Sequence, residues 1–337
     1  MSTIKDVAEA AGVSIATVSR ALHGQPRVSE ATRRRVLTVA ADLRYVASPS
    51  AAGLATGLTH AIGVVAPFVN RWFFAAIVHS AEERLRRAGY DLLLYSLGTE
   101  AEERRRAFSG ALLRKRVDGV LVLGLHPAED EVAALSAAGG PVAIVGKDVP
   151  GWASVRIDDR AAAGCAVRHL LDLGHRRIGF LGGETDDPLG STLPGDRRAG
   201  YHAELSGAGL PADPALEAVG GFTVRGGYAA AERLLQLAHP PTAIFAASDE
   251  MAIGAVQAIR RAGLRVPLDV SVVGLDDHEM AEVMDLTTVA QPVGAQGELA
   301  AEMILTALAE PGRPLPAVTV PTGLVVRGTT SRPTRRS

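Results

Sequence analysis

The chain of 337 residues lacks several features, and each absence removes a class of protein. It has a single cysteine, Cys165, which cannot form an internal disulfide, and no Cys/His spacing matches a zinc site. No apolar run approaches the roughly 18 residues of a membrane-spanning helix. The opening MSTIKDVAEA lacks the basic and then apolar layout of a secretory signal. These absences predict a cytoplasmic protein with no membrane contact and no metal site.

The charge that is present lies unevenly along the chain. Residues 1–60 carry seven Lys or Arg against four acidic residues, a net charge of +3, while the whole chain has a formal charge of -2. The remainder therefore carries a net charge of -5. A small basic unit on a larger acidic body is typical of a protein that contacts nucleic acid.

The basic segment has the pattern of three short helices around one small core. Thr3 is expected to cap a first helix, which Gly12 ends, and Ser14 to cap a second helix over residues 15–22. Ser29 is expected to cap a third helix. A turn of this length between the first two helices is typical of a helix-turn-helix.

The second helix carries side chains that suit the DNA major groove. Small residues allow close approach, hydroxyls bind phosphates, apolar groups meet thymine methyls, and an arginine fork matches guanine. The candidate DNA-binding residues are Ser14, Ile15, Ala16, Thr17, Ser19 and Arg20. The alternative for Arg20 is an ordinary solvent-facing arginine; the turn, the basic excess and the linker favour DNA.

Two different regions follow the three predicted helices. Residues 47–59 are rich in Ala, Gly, Ser and Thr, and they predict a linker with weak helical preference because Gly53 costs up to ~1 kcal/mol within a helix. Beyond residue 60, apolar runs that alternate with amphipathic stretches predict buried parallel strands joined by helices. The length favours two α/β halves with a cleft between them. The runs lie at 61–66, 91–96, 119–125, 142–146, 177–183, 242–247 and 269–275.

Several long stretches resemble the LacI/GalR family of bacterial transcription regulators. They include TIKDVAEAAGVSIATVSRALHG, RVSEATRRRVLTVAADLRYV, HLLDLGHRRIGFLGG, GDRRAGY and TAIFAASDEMAIGAVQAIRR. The resemblance implies an all-α helix-turn-helix DNA-binding domain and an α/β two-lobed, periplasmic-binding-protein-like (type I) core that binds an effector and dimerises. The implied boundaries are 1–46 for the DNA-binding domain, 47–59 for the hinge, 60–330 for the core and 331–337 for a flexible tail.

The resemblance also assigns roles to residues of the hinge and the second helix. Leu54 occupies the position from which the family inserts a leucine into the minor groove, a wedge that bends the duplex. Ile15 and Ala16 occupy the positions that select the operator. Ala47 and Ala52 depart from the commoner hinge pattern, so Leu54 is the one hinge contact predicted.

The ligand residues carry over from the resemblance one by one. Arg197 and Asp276 match positions that hold polar groups of a ligand, and Phe222 and Phe73 match aromatics that pack on it. The full candidate set is Phe73, Trp72, Asp148, Arg197, Phe222, Ser248, Asp276 and Gln291. The alternatives are a surface ion pair for Arg197 with Asp276, and core packing for the aromatics.

The resemblance implies a homodimeric regulator, most often a repressor in that family, which binds double-stranded operator DNA of pseudo-palindromic sequence under allosteric control by a small molecule. A sugar or sugar-like polyol is the first hypothesis for the effector, and a nucleoside or purine the second. The main alternative is a solute receptor without DNA function, which requires an export signal.

An enzyme is not expected. Gly146-Lys147 resembles a phosphate loop, but Asp148 follows where Ser or Thr would be needed. The sequence GVSIA lacks the last glycine of a nucleophile elbow. No Gly-rich nucleotide motif is present, so no cofactor is expected.

Overall fold

The computed structural model describes residues 2–22, 26–45, 58–98, 101–108, 113, 115–137, 139–184 and 192–334. The chain divides into two compact units, residues 1–60 with 115–118, and residues 61–114 with 119–337. Most of the expected hinge, including Leu54, lies outside the described residues. Within the described part of the chain, no helix is long and apolar enough to cross a membrane.

The first unit contains the three expected helices. They are α1 (Ile4–Ala11), α2 (Ile15–Leu22) and α3 (Glu30–Asp42). The N–H of Thr3 donates to Asp6 Oδ2 at 2.7 Å, and the N–H of Asp6 donates back to the Thr3 hydroxyl at 3.4 Å, which closes a capping box. Gly12 ends α1 at φ 64°, in the left-handed region that glycine adopts without strain. The buried core of this unit is Val7, Ala8, Ala11, Val18, Ala21, Val36 and Ala40.

Asp118 belongs to this first unit although it lies far along the chain. Its Oδ1 accepts hydrogen bonds from the N–H of Thr59 at 2.7 Å and the Thr59 hydroxyl at 2.9 Å. Its Oδ2 accepts from the N–H of His60 at 2.8 Å. The carboxylate therefore holds Thr59, the last residue of the expected hinge, and His60, the residue that follows it.

The second unit contains two six-stranded sheets. The strands of the first sheet are β1 (Ala61–Ala66), β2 (Asp91–Ser96), β3 (Gly119–Leu123), β4 (Val142–Val145), β5 (Ala153–Arg156) and β11 (Ala317–Thr319). The strands of the second sheet are β6 (Ile178–Gly182), β7 (Glu217–Val219), β8 (Ala243–Ala246), β9 (Ser271–Asp276), β10 (Thr287–Ala290) and β12 (Gly323–Val325). The orders are β11-β5-β4-β3-β1-β2 and β12-β10-β9-β8-β6-β7. The pairing is parallel in both sheets except between β10 and β12.

Helices cover these sheets and define two lobes. The first lobe holds α4 (Trp72–Arg87), α5 (Ala101–Phe108), α6 (Glu129–Ala137) and α12 (Val293–Ala309). The second lobe holds α7 (Asp159–Asp172), α8 (Leu193–Gly207), α9 (Val224–Leu235), α10 (Asp249–Arg261), the short α11 (Glu279–Val283) and a 3₁₀ turn (Pro214–Leu216). In the described residues the chain crosses between the lobes three times, after β5, β10 and β11. The fold class predicted from the sequence is confirmed.

The apolar runs correspond closely to strands, with one difference in burial. The runs at 61–66 and 91–96 coincide with β1 and β2. We expected strands buried on both faces, and β1 is, but Leu93 and Leu94 of β2 remain 37% and 42% exposed. The reason is topological, since β2 is the edge strand of its sheet.

The expected flexible tail differs from the structure in its described part. The N–H of Ser331 donates to the Ser271 hydroxyl at 3.1 Å, and the Ser331 carbonyl lies 2.9 Å from His175 Nε2. The Thr334 hydroxyl donates to the Leu268 carbonyl at 2.9 Å. A polar composition suggested a free tail, yet these polar groups bind the second lobe as far as residue 334.

Candidate functional site

The exposed face of α2 carries the candidate DNA-binding residues of that helix. Val18 and Ala21 face the core of the first unit and are buried. The opposite face leaves Ile15 43% exposed, with Ala16 and Arg20 also exposed. Thr17 and Ser19 are half-buried at the margins.

The amino end of α2 is closed by its own side chains. The hydroxyl of Ser14 accepts the N–H of Thr17 at 3.2 Å and lies 2.9 Å from the Thr17 hydroxyl. Ser14 therefore caps the helix as expected. Because the cap and the buried Val18 fix the rotation of α2, the face with Ile15 and Arg20 is presented as a rigid surface.

A second candidate site is a cleft of about 250 Å³ between the two lobes. Its first-lobe wall comes from the start of α4 and from the residues that follow β3 and β4. Its second-lobe wall comes from α8, from the end of β9, and from the residues that follow β6, β7 and β8. Ligands of open α/β sheets bind at the carboxyl ends of strands. The lining residues are Phe68, Arg71, Phe73, Phe74, Gly124, His126, Gly146, Gly183, Glu184, Leu193, Pro194, Arg197, Gly221, Phe222, Ser248, Glu250 and Asp276.

Arg197 and Asp276 form the buried polar centre of the second-lobe wall. The Nε of Arg197 donates to Asp159 Oδ1 at 2.8 Å, and its Nη1 donates to the Ala247 carbonyl. The same Nη1 lies 3.7 Å from Asp276 Oδ1. Gln291 donates from Nε2 to that oxygen at 2.6 Å. One guanidinium is thus shared by two carboxylates.

The electrostatics follow from that sharing. Burial raises the pKa of Asp276, with the guanidinium of Arg197 opposing the rise and the carboxylate of Asp249 adding to it. Burial likewise raises the pKa of Asp159, and Arg197 again opposes the rise. The centre therefore places two carboxyl groups beside one guanidinium and offers acceptor oxygens to hydrogen-bond donors such as hydroxyl groups.

The aromatic rings of the wall lie directly on backbone. A Cβ added to Gly124 would lie 2.6 Å from a ring atom of Phe74, and a Cβ added to Gly183 would overlap the ring of Phe222. Glycine at these two positions, just after β3 and β6, therefore lets the rings approach the backbone closely. Apolar walls with a few convergent polar groups are typical of small-molecule sites.

Five of the eight candidate ligand residues line the cleft, namely Phe73, Arg197, Phe222, Ser248 and Asp276. Three do not. Gln291 lies behind Asp276 and holds its carboxylate. Asp148 accepts a hydrogen bond from the Ser154 hydroxyl at 3.1 Å. The ring of Trp72 lies 4.5 Å from the ring of His278 in the second lobe, so it bridges the lobes instead of lining the cavity.

The sequence reasoning missed several charged or polar lining residues, among them Arg71, His126, Glu184 and Glu250. His126 Nδ1 accepts the N–H of Thr192 from the other lobe at 2.9 Å. Three of them could have been predicted from their place in the sequence, since His126, Glu184 and Glu250 each follow an apolar strand within a few residues. Among the described residues, no group of three His, Cys, Asp or Glu side chains is placed to hold a metal ion.

Comparison with known proteins gives consistent matches along the chain. The sequence model of bacterial regulatory proteins of the lacI family matches residues 3–48, and that of the periplasmic binding protein-like domain matches residues 167–330. The HTH-type transcriptional regulator DegA of Bacillus subtilis (strain 168) is 36% identical over 304 residues, 88% of each chain.

Solved structures of transcriptional regulators are also similar to this chain. The lac repressor dimer bound to operator and the anti-inducer ONPF has a TM-score of 0.86 and 30% identity, covering 98% of this chain and 99% of that one. A complex of the transcriptional regulator CelR with cellobiose has a TM-score of 0.71 and 32% identity, covering 98% of this chain and 100% of that one.

Proposed function

This chain belongs to the LacI family of bacterial regulatory proteins, and from that membership we propose that it is a homodimeric transcriptional regulator, acting as a repressor, whose operator affinity is set by a small molecule in the cleft. The observation that carries the proposal is the presence in one chain of a capped recognition-type helix with an exposed Ile15–Arg20 face and a cleft with a buried Arg197–Asp276 centre. The relatives named as regulators support a binding role over a catalytic one. Because bacterial DNA lies in the cytoplasm, the proposal places the protein there.

In this proposal the two α2 helices of a dimer enter successive major-groove half-sites, about 10 base pairs apart from centre to centre. Leu54 of each subunit enters the minor groove between them. Ligand binding changes the arrangement of the lobes, and a coupling free energy of about 1–3 kcal/mol alters operator affinity about 5- to 150-fold. A sugar or related polyol is the proposed effector. The polar centre of the cleft and the phenylalanine side chains that line it support this choice.

The test uses the intact protein and sheared genomic DNA of the bacterium that carries the gene. Recovered fragments should share a two-fold symmetric motif, and gel shifts on that motif should give an affinity well above that for random DNA. The proposal is refuted if no motif is enriched.

Arg20→Ala refines the same test. It should weaken binding to the motif by about 1–3 kcal/mol, while random DNA loses less, because a guanine contact is lost. Arg35→Ala is the matched control, since Arg35 is exposed on α3 and carries the same charge. Equal losses on both DNAs for the Arg20 variant would mean that Arg20 contacts only phosphate.

A further inference from the structure

Two rings meet between the lobes at the edge of the cleft. The ring of Trp72, the first residue of α4, lies 4.5 Å from the ring of His278 in the second lobe, at an angle of 35° between the planes. Both residues are half-buried. Trp72 is next in sequence to the lining residue Phe73, and His278 is two residues after the lining residue Asp276. Rings at about 4.5–7 Å attract each other, so this pair joins the lobes directly beside the cavity.

The ring of His278 is held in a fixed orientation. Its Nδ1 accepts the N–H of Met280 at 2.9 Å, which caps α11. The ring cannot turn about its bond to Cβ without losing this hydrogen bond. The cap therefore also fixes the ring plane that Trp72 contacts.

The backbone of His278 is held by Asp249, the first residue of α10, whose carboxylate is buried. Asp249 Oδ2 accepts the N–H of His278 at 2.8 Å, and its Oδ1 accepts the hydroxyl of Thr288 on β10 at 2.7 Å. The fit is close, because a Cβ added to Gly274 would overlap Asp249 Oδ1. Asp249 therefore ties α10, β10 and the residue that carries the ring into one rigid part of the second lobe.

The place of the ring pair points to a role beyond packing. A contact that serves folding alone would lie in the core of one lobe, whereas this contact forms only when the two lobes are side by side. Its free energy therefore favours one arrangement of the lobes over others. A ligand shifts such an equilibrium through the same difference in free energy between arrangements.

We propose that the Trp72–His278 pair is a latch that favours one arrangement of the lobes independently of any effector, and that Asp249 is the positioning residue that holds the His278 half of the latch. This inference rests on the proposed function and adds a regulatory element to it. The latch sets the basal operator affinity from which the response to an effector starts.

The first arm of the test measures the ring contact by fluorescence of the full chain, which has two tryptophans. The other is Trp152, buried in the first lobe with its Nε1 donating to Ser136 at 3.0 Å. Trp72→Phe leaves only the emission of Trp152, so subtracting that spectrum from the wild-type spectrum gives the emission of Trp72.

His278→Asn is the informative variant, because Asn caps a helix well and lacks the ring. The Trp72 emission should shift to longer wavelength in this variant, and acrylamide should quench it more, since the ring that covers it is lost. His239→Asn, at an exposed histidine of the second lobe, is the matched control and should change neither. Unchanged Trp72 emission in His278→Asn overturns the proposal, because the two rings would then not meet in solution.

The second arm is a double-mutant cycle of Trp72→Ala and His278→Asn. Urea unfolding should give a coupling of about two- to twelvefold in the equilibrium constant, the amount that one aromatic pair supplies. Gel shifts on the enriched operator, without ligand, carry the regulatory part. Each single variant should change operator affinity in the same direction by up to about twelvefold, and the double variant should change it no further. Trp72→Phe keeps a ring and should retain the wild-type affinity. Additive effects, or an unchanged operator affinity, overturn the inference.

The third arm tests Asp249. Asp249→Ala should reproduce the emission shift of His278→Asn, whereas Asp249→Asn keeps an acceptor for the N–H of His278 and should retain the wild-type emission. If Asp249→Ala does not fold, Thr288→Val replaces it, because this variant removes the hydroxyl that fixes the carboxylate and should give a smaller shift in the same direction. Wild-type emission in the folded variant removes Asp249 from the positioning role.

These arms separate the two levels of the proposal. Specific operator binding that neither Trp72→Ala nor His278→Asn alters overturns this inference and leaves the regulator assignment intact. If no operator motif is recovered, the proposed function fails, while the fluorescence and urea arms still decide whether the rings join the lobes.

Discussion

Replacing Asp276 by Asn should stabilise the folded protein and weaken its binding of ligand. These opposite effects on stability and affinity test the role of the carboxylate in the cleft. The Asn carbonyl can still accept from Gln291, which now donates to Asp276 Oδ1 at 2.6 Å, and the Arg197–Asp159 ion pair at 2.8 Å stays intact. The variant removes the carboxylate of Asp276, which lies near the Arg197 guanidinium while that group already binds Asp159. A buried charge that is only partly compensated costs stability.

The magnitude follows from the pKa of Asp276, which burial raises to about 7. Because the folded state holds this proton more tightly than the unfolded state, the contribution of Asp276 to stability falls as pH rises from about 4 to about 7. The cost of ionisation has an upper bound of ~4 kcal/mol, at ~1.4 kcal/mol for each pKa unit. Since Asn is itself polar and buried, we expect a net gain of about 1–2 kcal/mol at pH 8 and none below about pH 4.

Urea unfolding of the wild type and the variant from pH 4 to pH 8 measures this difference directly. Asp91→Asn, at an exposed strand position, is the control and should show no such trend. Calorimetry with a sugar that binds the wild type should show that the variant binds it about 10- to 150-fold more weakly. The reason is that hydrogen bonds to a charged acceptor contribute about 1.5–3 kcal/mol. Operator binding without ligand should be unchanged. A variant that is less stable than wild type at pH 8 would refute the reasoning, since the ionised carboxylate would then be a net stabiliser.

Three further substitutions probe other parts of the chain. Asp118→Asn should lower the free energy of unfolding by about 1–3 kcal/mol, because its buried carboxylate accepts from Thr59 at 2.7 Å; an unchanged urea midpoint would contradict this. Tyr201→Phe should cost about 1 kcal/mol in thermal unfolding, since its buried hydroxyl donates to the Ile178 carbonyl at 2.8 Å, and no loss would mean that the bond adds nothing. Leu54→Ala should leave the fold intact but reduce operator bending in a circular-permutation gel assay. Unchanged bending would remove Leu54 from the wedge role.

Local chemistry made the first unit and most strands predictable from the sequence. The Thr3 cap, the Gly12 stop and the Ser14 cap each depend on residues within a few positions, and each occurs as expected. The apolar runs predicted the central strands correctly because each run is also a local feature of a few consecutive residues. Strands of three residues, such as β7 and β11, were missed because so short a segment has no distinctive period.

The cleft was predictable only in part because its walls come from segments far apart in the chain. Arg197 and Asp276 were found through resemblance. Arg71 and Glu250 were not, since only the folding of the chain into two lobes brings them to one cavity. Trp72 was expected at the ligand because it neighbours Phe73 in the sequence. Its ring instead contacts the ring of His278 in the other lobe.

A chain of hydrogen bonds leads from the carboxylate of Asp276 into the first lobe. Gln291, at the second crossing, donates to Asp276 and accepts from Gln296 Nε2 at 2.9 Å. Gln296 lies on α12, which packs against the first sheet. In the proposed function, a ligand that binds Asp276 therefore acts on a hydrogen-bond network that continues into the first lobe.

The turn that follows β9 adds a second route, because three consecutive residues have three different partners. Asp276 faces the cleft, Asp277 binds Arg327 at 2.8 Å, and His278 packs its ring 4.5 Å from Trp72 of the first lobe. Asp276 and Asp277 both have positive φ, 132° and 58°, a conformation that non-glycine residues keep only when their surroundings hold it. We propose that a shift of Asp276 toward a ligand moves this short backbone segment and, with it, the His278 ring. Losing or gaining one such ring contact changes free energy by about 0.5–1.5 kcal/mol, the same order as the coupling that the proposed switch requires.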